Sequence, residues 1–292
     1  MSITRIGAAK IEIHLSVILF GFSGLFGKWL VTSPVWIVEG RTAVAALLLY
    51  FSLRILNKPL RFALNKQGAM IGFSAVVLAL HWLTFFYAIQ ISTVAIGLIG
   101  FATYPVFVTF FEPLLNQQKL RRVDLASAAL VVLGLVVLAP SLDMADMGTH
   151  GLFWAVVSGA LNAVFTLTNR KLVQSVDTLN LVLVQQLLVA LLMLPLAFLS
   201  ETVLGLRTLF LLGILGLLFT AIPQTLYIRS LTQLKAQFVS IVTCLEPVYS
   251  IFLAAMLLRE TPSSKTLVGA ALVLAAVLVA VKSQQNAEAQ GA

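Results

Sequence analysis

Residues 236–257 read AQFVSIVTCLEPVYSIFLAAML, a run in which Glu246 is the one charged residue and Pro247 the one proline. A helix needs about 20 mostly apolar residues to cross a bilayer, because lipid offers no partner to an open backbone N–H or C=O. This stretch therefore predicts a transmembrane helix. Working outward, the same criterion predicts others at 12–32, 35–56, 68–90, 93–112, 123–140, 149–170, 179–199, 208–229 and 264–282. The expected fold is an all-α integral membrane protein of ten transmembrane helices. The breaks are too short for a soluble domain, and the polar residues 284–292 are expected to form a disordered tail.

Composition agrees. Of the 292 residues 60% are hydrophobic and 10% are charged, where a soluble domain carries about 25% charged residues. The net charge of +8 points to lipid headgroups and not to nucleic acid, since the basic residues sit in short gaps between apolar runs. Cys244 is the single cysteine, so no intramolecular disulfide can form. Arg5 and Lys10 before an apolar stretch look like a signal peptide. No small-residue cleavage site follows, so the stretch reads as the first membrane helix, retained in the mature protein.

The bias of lysine and arginine sets the expected orientation. With the N-terminus in the cytoplasm, only Lys28, Arg41, Arg207, Arg259 and Lys265 fall on or near the outer side; the remaining basic residues, including Lys119, Arg121 and Arg122 of the 4–5 loop, fall inside. Both termini are then cytoplasmic. Trp29, Trp36 and Trp154 land near the outer interface, where an aromatic belt belongs.

A shift of 142 residues lays the fourth and fifth helices on the ninth and tenth. Pro105-Val106 falls on Pro247-Val248, Phe110 on Phe252, Leu115 on Leu257, and Ala128-Ala129-Leu130-Val131 on Ala270-Ala271-Leu272-Val273. The halves, 1–142 and 143–283, each hold five spans, so the second enters the membrane inverted. Inverted repeats of this kind underlie many secondary transporters, with cargo bound near the midplane between the halves.

Ten spans, the inverted repeat and the paired Tyr104-Pro105-Val106 and Glu246-Pro247-Val248 resemble the drug/metabolite transporter superfamily, EamA type. The resemblance covers nearly the whole chain, and residues 246–261, EPVYSIFLAAMLLRET, are its most specific piece. Gln118 departs from the pattern, standing where the position matching Glu260 is often acidic. Tyr104, the aromatic-rich third helix and the TLTNRK ending of the sixth are most similar to the YddG-type exporters of aromatic and other neutral amino acids. That resemblance implies export of amino acids or similar small metabolites across the inner membrane by alternating access.

Polar residues inside a membrane are costly, so each is a candidate for function. His81 and Trp82 lie near the middle of the third helix, with Phe85 one turn from His81. Gly97, Phe101 and Tyr104 share one face of the fourth. Asn162 and Thr166 are i, i+4 on the sixth, and Gln224 follows Pro223 on the eighth. The repeat matches Tyr104 to Glu246. These residues are the expected substrate-binding set: His81, Trp82, Phe85, Phe101, Tyr104, Asn162, Thr166, Gln224 and Glu246. Pro105 and Pro247, which free a carbonyl and bend a helix, are the expected hinges. Glu246 reads either as a neutral carboxyl bonded to freed backbone or as an ammonium-binding or proton-coupled site. Lys28 and Arg41 read as snorkelling to the headgroups, or as a polar outer vestibule with Glu39. Without a mid-depth basic cluster, a neutral or zwitterionic cargo fits better than a strongly anionic one.

Gly21, Gly24 and Gly27 before Lys28 lack phosphate-loop spacing and read as a surface for close helix approach, as do Gly68 and Gly72. No nucleotide motif, metal-ligand spacing or cofactor signature occurs, and the three histidines fall on separate segments. A membrane enzyme and a passive channel are therefore weaker expectations than a transporter. Within transport, the alternative is a multidrug cation exporter coupled to protons through Glu246.

Overall fold

A computed structural model of the chain describes residues 3–61, 65–115, 122–139, 141, 143–200 and 204–290. These residues form helices and connecting turns, with no strand among them. In order they are α1 (Ile3–Trp29), α2 (Pro34–Ile55), α3 (Lys66–Ile91), α4 (Val94–Phe101), α5 (Tyr104–Leu115), α6 (Arg122–Leu138) and α7 (Met147–Leu172). There follow α8 (Thr178–Leu199), α9 (Leu206–Gly216), a π-helical turn at Leu217–Ala221, α10 (Ile222–Ser230), α11 (Ala236–Thr243), α12 (Glu246–Leu257) and α13 (Ser264–Gln290).

Among the described residues, eight helical segments are long and apolar enough to cross a membrane: Arg5–Trp29, Pro34–Ile55, Lys66–Ile91, Val94–Leu115, Met147–Leu172, Thr178–Leu199, Leu206–Ser230 and Ala236–Leu257. The expected fifth and tenth spans fall on α6, which has 17 described residues, and on α13, whose apolar part is Ser264–Ala275. The tail expected to be disordered continues α13 as helix to Gln290. Residues 283–290 read SQQNAEAQ; without Gly or Pro, and with good helix formers, nothing there terminates a helix already begun. Gln118, Lys119 and Arg121 lie outside the described residues.

Short polar residues start the helices. Asn65 Oδ1 accepts from the Gln67 and Gly68 amides at 2.9 and 3.1 Å, Thr93 Oγ1 from Ile96 at 3.1 Å, Asp146 from Thr149 at 2.9 Å and Asp177 from Asn180 at 3.2 Å. Such caps contribute about 1 kcal/mol each. Glu260 reaches across from the far end of the chain to the Val94 amide at 3.0 Å, a second cap on α4.

Leu47, Phe51, Phe73, Leu191, Phe198, Phe210 and Phe252 stand outward and exposed. In water that surface would be an aggregation liability; around a membrane bundle it meets acyl chains. Inside, α7 packs on α3, α4 and α5, while α1 packs on α10, α11 and α12; α2 lies on α8 and α6 on α13. Small residues set the closest approaches. An added Cβ would stand 2.9 Å from Tyr249 Cβ at Gly21, 3.3 Å from Leu98 at Gly24 and 2.8 Å from Ile89 at Gly27, so this face brings three helices against α1. Gly72 departs from its expectation: a Cβ there meets nothing within 4 Å. Lys28 also departs, donating to Ser92 O at 2.5 Å and capping the end of α3.

Candidate substrate cavity

The fourth and ninth predicted spans are both broken near their middles, and the breaks keep the 142-residue register. Helix α4 starts at Val94 and α11 at Ala236; α5 starts at Tyr104 and α12 at Glu246; α5 ends at Leu115 and α12 at Leu257. Pro105 and Pro247 sit second in α5 and α12 and have no N–H to return to the preceding turn. The chain tightens there into i→i+3 bonds, Val106 N to Thr103 O at 3.0 Å and Leu245 N to Val242 O at 3.0 Å. Val106 thus leaves the Ala102 carbonyl without its helical donor. The Cys244 thiol points at that oxygen from 3.7 Å, so the two breaks touch at residues 142 apart.

Beside the breaks lies a cavity with contributions from α1, α2, α3, α4, α7, α10, α11 and α12. About 40 Å³ of it is open to the centre of a water-sized sphere, room for about three waters. Of the expected substrate-binding residues, His81, Trp82, Phe85, Phe101, Asn162, Gln224 and Glu246 line it. Tyr104 and Thr166 stand one layer back. The Tyr104 ring stacks on Phe101, centroids 5.6 Å apart and planes 14° apart, and Thr166 Oγ1 lies 2.6 Å from the hydroxyl of Tyr227, which does line the cavity.

His81 both lines the cavity and bridges helices. Its Nδ1 lies 2.8 Å from Ser158 Oγ and 3.1 Å from Ser158 O. With the ring hydrogen on Nδ1 the imidazole donates to Ser158 and Nε2 keeps its lone pair; with it on Nε2 the Ser158 hydroxyl donates to Nδ1. Phe101 packs against the ring at 5.5 Å. Phe85 meets Phe101 edge-on at 5.6 Å. The wall around the first break is aromatic.

Arg41 does not snorkel. It is 1% exposed and lines the cavity. Its guanidinium lies 4.1 Å from the Trp82 ring centroid and 5.2 Å from that of Phe86. Nε donates to Thr220 Oγ1 at 2.9 Å and Nη2 to Phe219 O at 3.2 Å. The reason lies in α10: Pro223 has no N–H for the carbonyl four residues earlier, which is Phe219, and the π-helical turn re-aims it. Gly216 lets the segments close up, since a Cβ there would sit 2.9 Å from Arg41 O. An arginine in a helix centre costs on the order of 2.5–3.5 kcal/mol on insertion scales. A desolvated cation–π contact returns about 2 and each bond to a charged group about 1.5–3 kcal/mol, so the arrangement is self-supporting. Pro223 signals the freed carbonyl in the sequence; nothing local tells that Arg41 uses it.

Glu246 shares the cavity with Arg41 and feels its charge. Gln224 Nε2 is buried without a hydrogen bond. A further polar cluster was not foreseen: Gln185 Nε2 donates to Ser74 Oγ at 2.7 Å and Asn169 Oδ1 at 2.8 Å, joining α8, α3 and α7. Among the described residues no group of three or more His, Cys, Asp or Glu could hold a metal.

At one end of the bundle, turns flanking α3 and α8 are tied together. Lys58 Nζ meets Asp177 Oδ2 at 2.7 Å, Asn180 exchanges bonds with the Arg61 backbone at 2.9 and 2.7 Å, and Gln67 reaches Ser175 at 2.8 Å. Burial alone would raise the Asp177 carboxyl, but the Lys58 bond and the Asn180 amide hold it below its usual range.

The sequence matches the EamA-like transporter family over residues 11–139 and 149–282. Over 123 residues it is 31% identical to an uncharacterized transporter of Helicobacter pylori strain ATCC 700392 / 26695, and 30% identical to one of strain J99. Each match covers 41% of this chain and 41% of the relative, so the chain spans about two fifths of the length of these curated relatives. One solved crystal structure superposes with a TM-score of 0.69 at 18% identity, covering 94% of this chain and 97% of the other; that likeness concerns the fold.

Proposed function

The chain belongs to the EamA-like transporter family and is a multi-pass membrane protein, and from that premise we propose that it is a transporter that exports small neutral or zwitterionic metabolites, amino acids above all, by alternating access. On this reading ten helices cross the cytoplasmic membrane as two inverted halves, 1–142 and 143–283, with both termini inside and Pro105 and Pro247 as hinges. Support for the repeat comes from the shared register of the two breaks. Exchanging the halves also turns the α3–α7 contact into α10–α1, and the α4–α7 contact into α11–α1; each member of each pair exists.

The observation that carries the cargo reading is the central cavity. Both halves wall it, it lies where both broken helices meet, and it is contracted to about 40 Å³, against about 300–1,000 Å³ for typical ligand sites. Cargo can enter only when the helices part, which is what alternating access requires. Polar ends for a zwitterion and an aromatic wall for an apolar side chain are both present.

A second reading, a multidrug cation exporter, is favoured by Glu246 facing the same aromatic-walled cavity. The test is efflux from proteoliposomes of radiolabelled amino acids and of a cationic dye, with and without a pH gradient. Amino acid flux supports the first reading. Dye flux lost in Glu246→Gln, with amino acids unmoved, supports the second, and flux of neither rejects both.

A further inference from the structure

We propose that Arg41 is the carboxylate-binding residue of the cavity and that, opposite Glu246, it makes the site select a zwitterion over a singly charged amine or acid. The inference rests on the cavity being the transport site. Trp82 and Phe86 pack against the guanidinium at 4.1 and 5.2 Å, so Trp82 is committed to the protein's own cation and not to the cargo's. Thr220 and Phe219 take Nε and Nη2. Nη1 has no hydrogen-bond partner among the described residues, on a side chain that lines the cavity. The anchor is therefore oriented by the protein on two nitrogens and left open on the third.

Two further observations point to a bound zwitterion, one for each pole. Gln224 Nε2 is buried in the same lining without a partner, in a residue 3% exposed, and an amide N–H₂ can only donate. No hydrogen bond reaches the Glu246 carboxylate among the described residues either, although it feels the Arg41 charge. The arginine keeps its proton, and with Glu246 ionised the resting cavity holds one charge of each sign. A zwitterion entering between them gives each pole a partner and leaves the net charge unchanged. A lone amine or lone carboxylate adds an uncompensated charge to a site from which water is largely excluded, which is costly. A buried guanidinium in the wall also disfavours an organic cation, so the same residue separates the two readings of the cargo.

The decisive experiment is competition in proteoliposomes. The radiolabelled amino acid that the wild-type protein moves best is competed with its unlabelled parent, its decarboxylated amine and its deaminated acid. The parent is expected to compete about 30-fold or more better than either analogue, the size of a lost bond to a charged group. Arg41→Gln is expected to erase the preference over the amine, and Thr220→Val to weaken the parent about 5-fold by loosening the anchor. Equal competition by parent and amine in the wild type overturns the proposal, even if Arg41→Gln fails to fold. So does an Arg41→Gln protein that keeps the preference. Wild-type protein that moves no amino acid removes the cargo reading itself, and this inference with it.

Discussion

The two broken helices of this protein share a backbone and differ in chemistry. Segments α4–α5 and α11–α12 start, break and end at positions 142 residues apart. At the first break stand Phe101 and Tyr104, stacked on each other and surrounded by His81 and Phe85. At the matching positions of the second stand Thr243 and Glu246, facing Arg41. Proline removes an N–H wherever it stands, so the same backbone break appears twice. Side chains at the bend are free to diverge, and here one wall is apolar while the other is charged.

That contrast can be broken from either side. The largest effect is expected at the charged wall: Glu246→Gln should lower amino acid flux about 30-fold to 100-fold, from the loss of a charge-assisted contact, while the protein still elutes as folded material. An unchanged rate would erase the functional difference between the walls. The aromatic wall should respond less and differently. Tyr104→Ala and His81→Ala should each cut flux about 10-fold while the protein stays folded, and Tyr104→Ala should cost about 3 kcal/mol of stability. Tyr104→Phe should stay within about twofold of wild type, because the hydroxyl makes no hydrogen bond within ordinary geometry; a large loss would show that the phenol, and not the ring, does the work.

Restoring a donor at the π-helical turn is expected to have a smaller effect. Pro223→Ala gives residue 223 an N–H that competes with Arg41 for Phe219 O, and flux should fall about 5-fold. The smallest effect is expected far from both breaks, at the Lys58–Asp177 pair, whose side chains are about half exposed. Such a pair contributes about 0–1 kcal/mol. The Asp177 carboxyl titrates lower folded than unfolded, so its contribution is complete above the usual aspartate range and lost as the pH falls below it. Thermal unfolding of Asp177→Asn should match wild type at pH 3 and lie slightly below it at pH 7; equal values at both would remove the pair from the account.

The sequence made the broad architecture and the breaks legible for a simple reason. Apolar runs of membrane length are long signals, and proline announces a missing hydrogen bond wherever it stands. Seven of the nine expected substrate-binding residues line the cavity, because a polar or aromatic residue at mid-depth has few uses other than packing or binding. The snorkelling expected of Arg41 fails because depth along α2 alone does not show the partners that hold it. The partners that hold it, Trp82 on α3 and Phe219 beside Pro223, come from segments about 40 and 180 residues away. The Ser74–Asn169–Gln185 cluster escaped for the same reason, each member being unremarkable on its own helix. The helical tail is not legible from polarity, because helix propensity and not polarity decides whether a helix already begun continues.

The central claim, that the cavity between the breaks opens alternately and holds an amino acid, has one direct test. Ser23 lines the cavity and is 3% exposed. In a Cys244→Ala background, Ser23→Cys supplies a single thiol there for an impermeant maleimide offered from one face of the membrane or the other. The account predicts labelling from each face during turnover, and protection from both by a saturating concentration of the transported amino acid. Labelling from one face only, or labelling that the amino acid leaves unchanged, would contradict it.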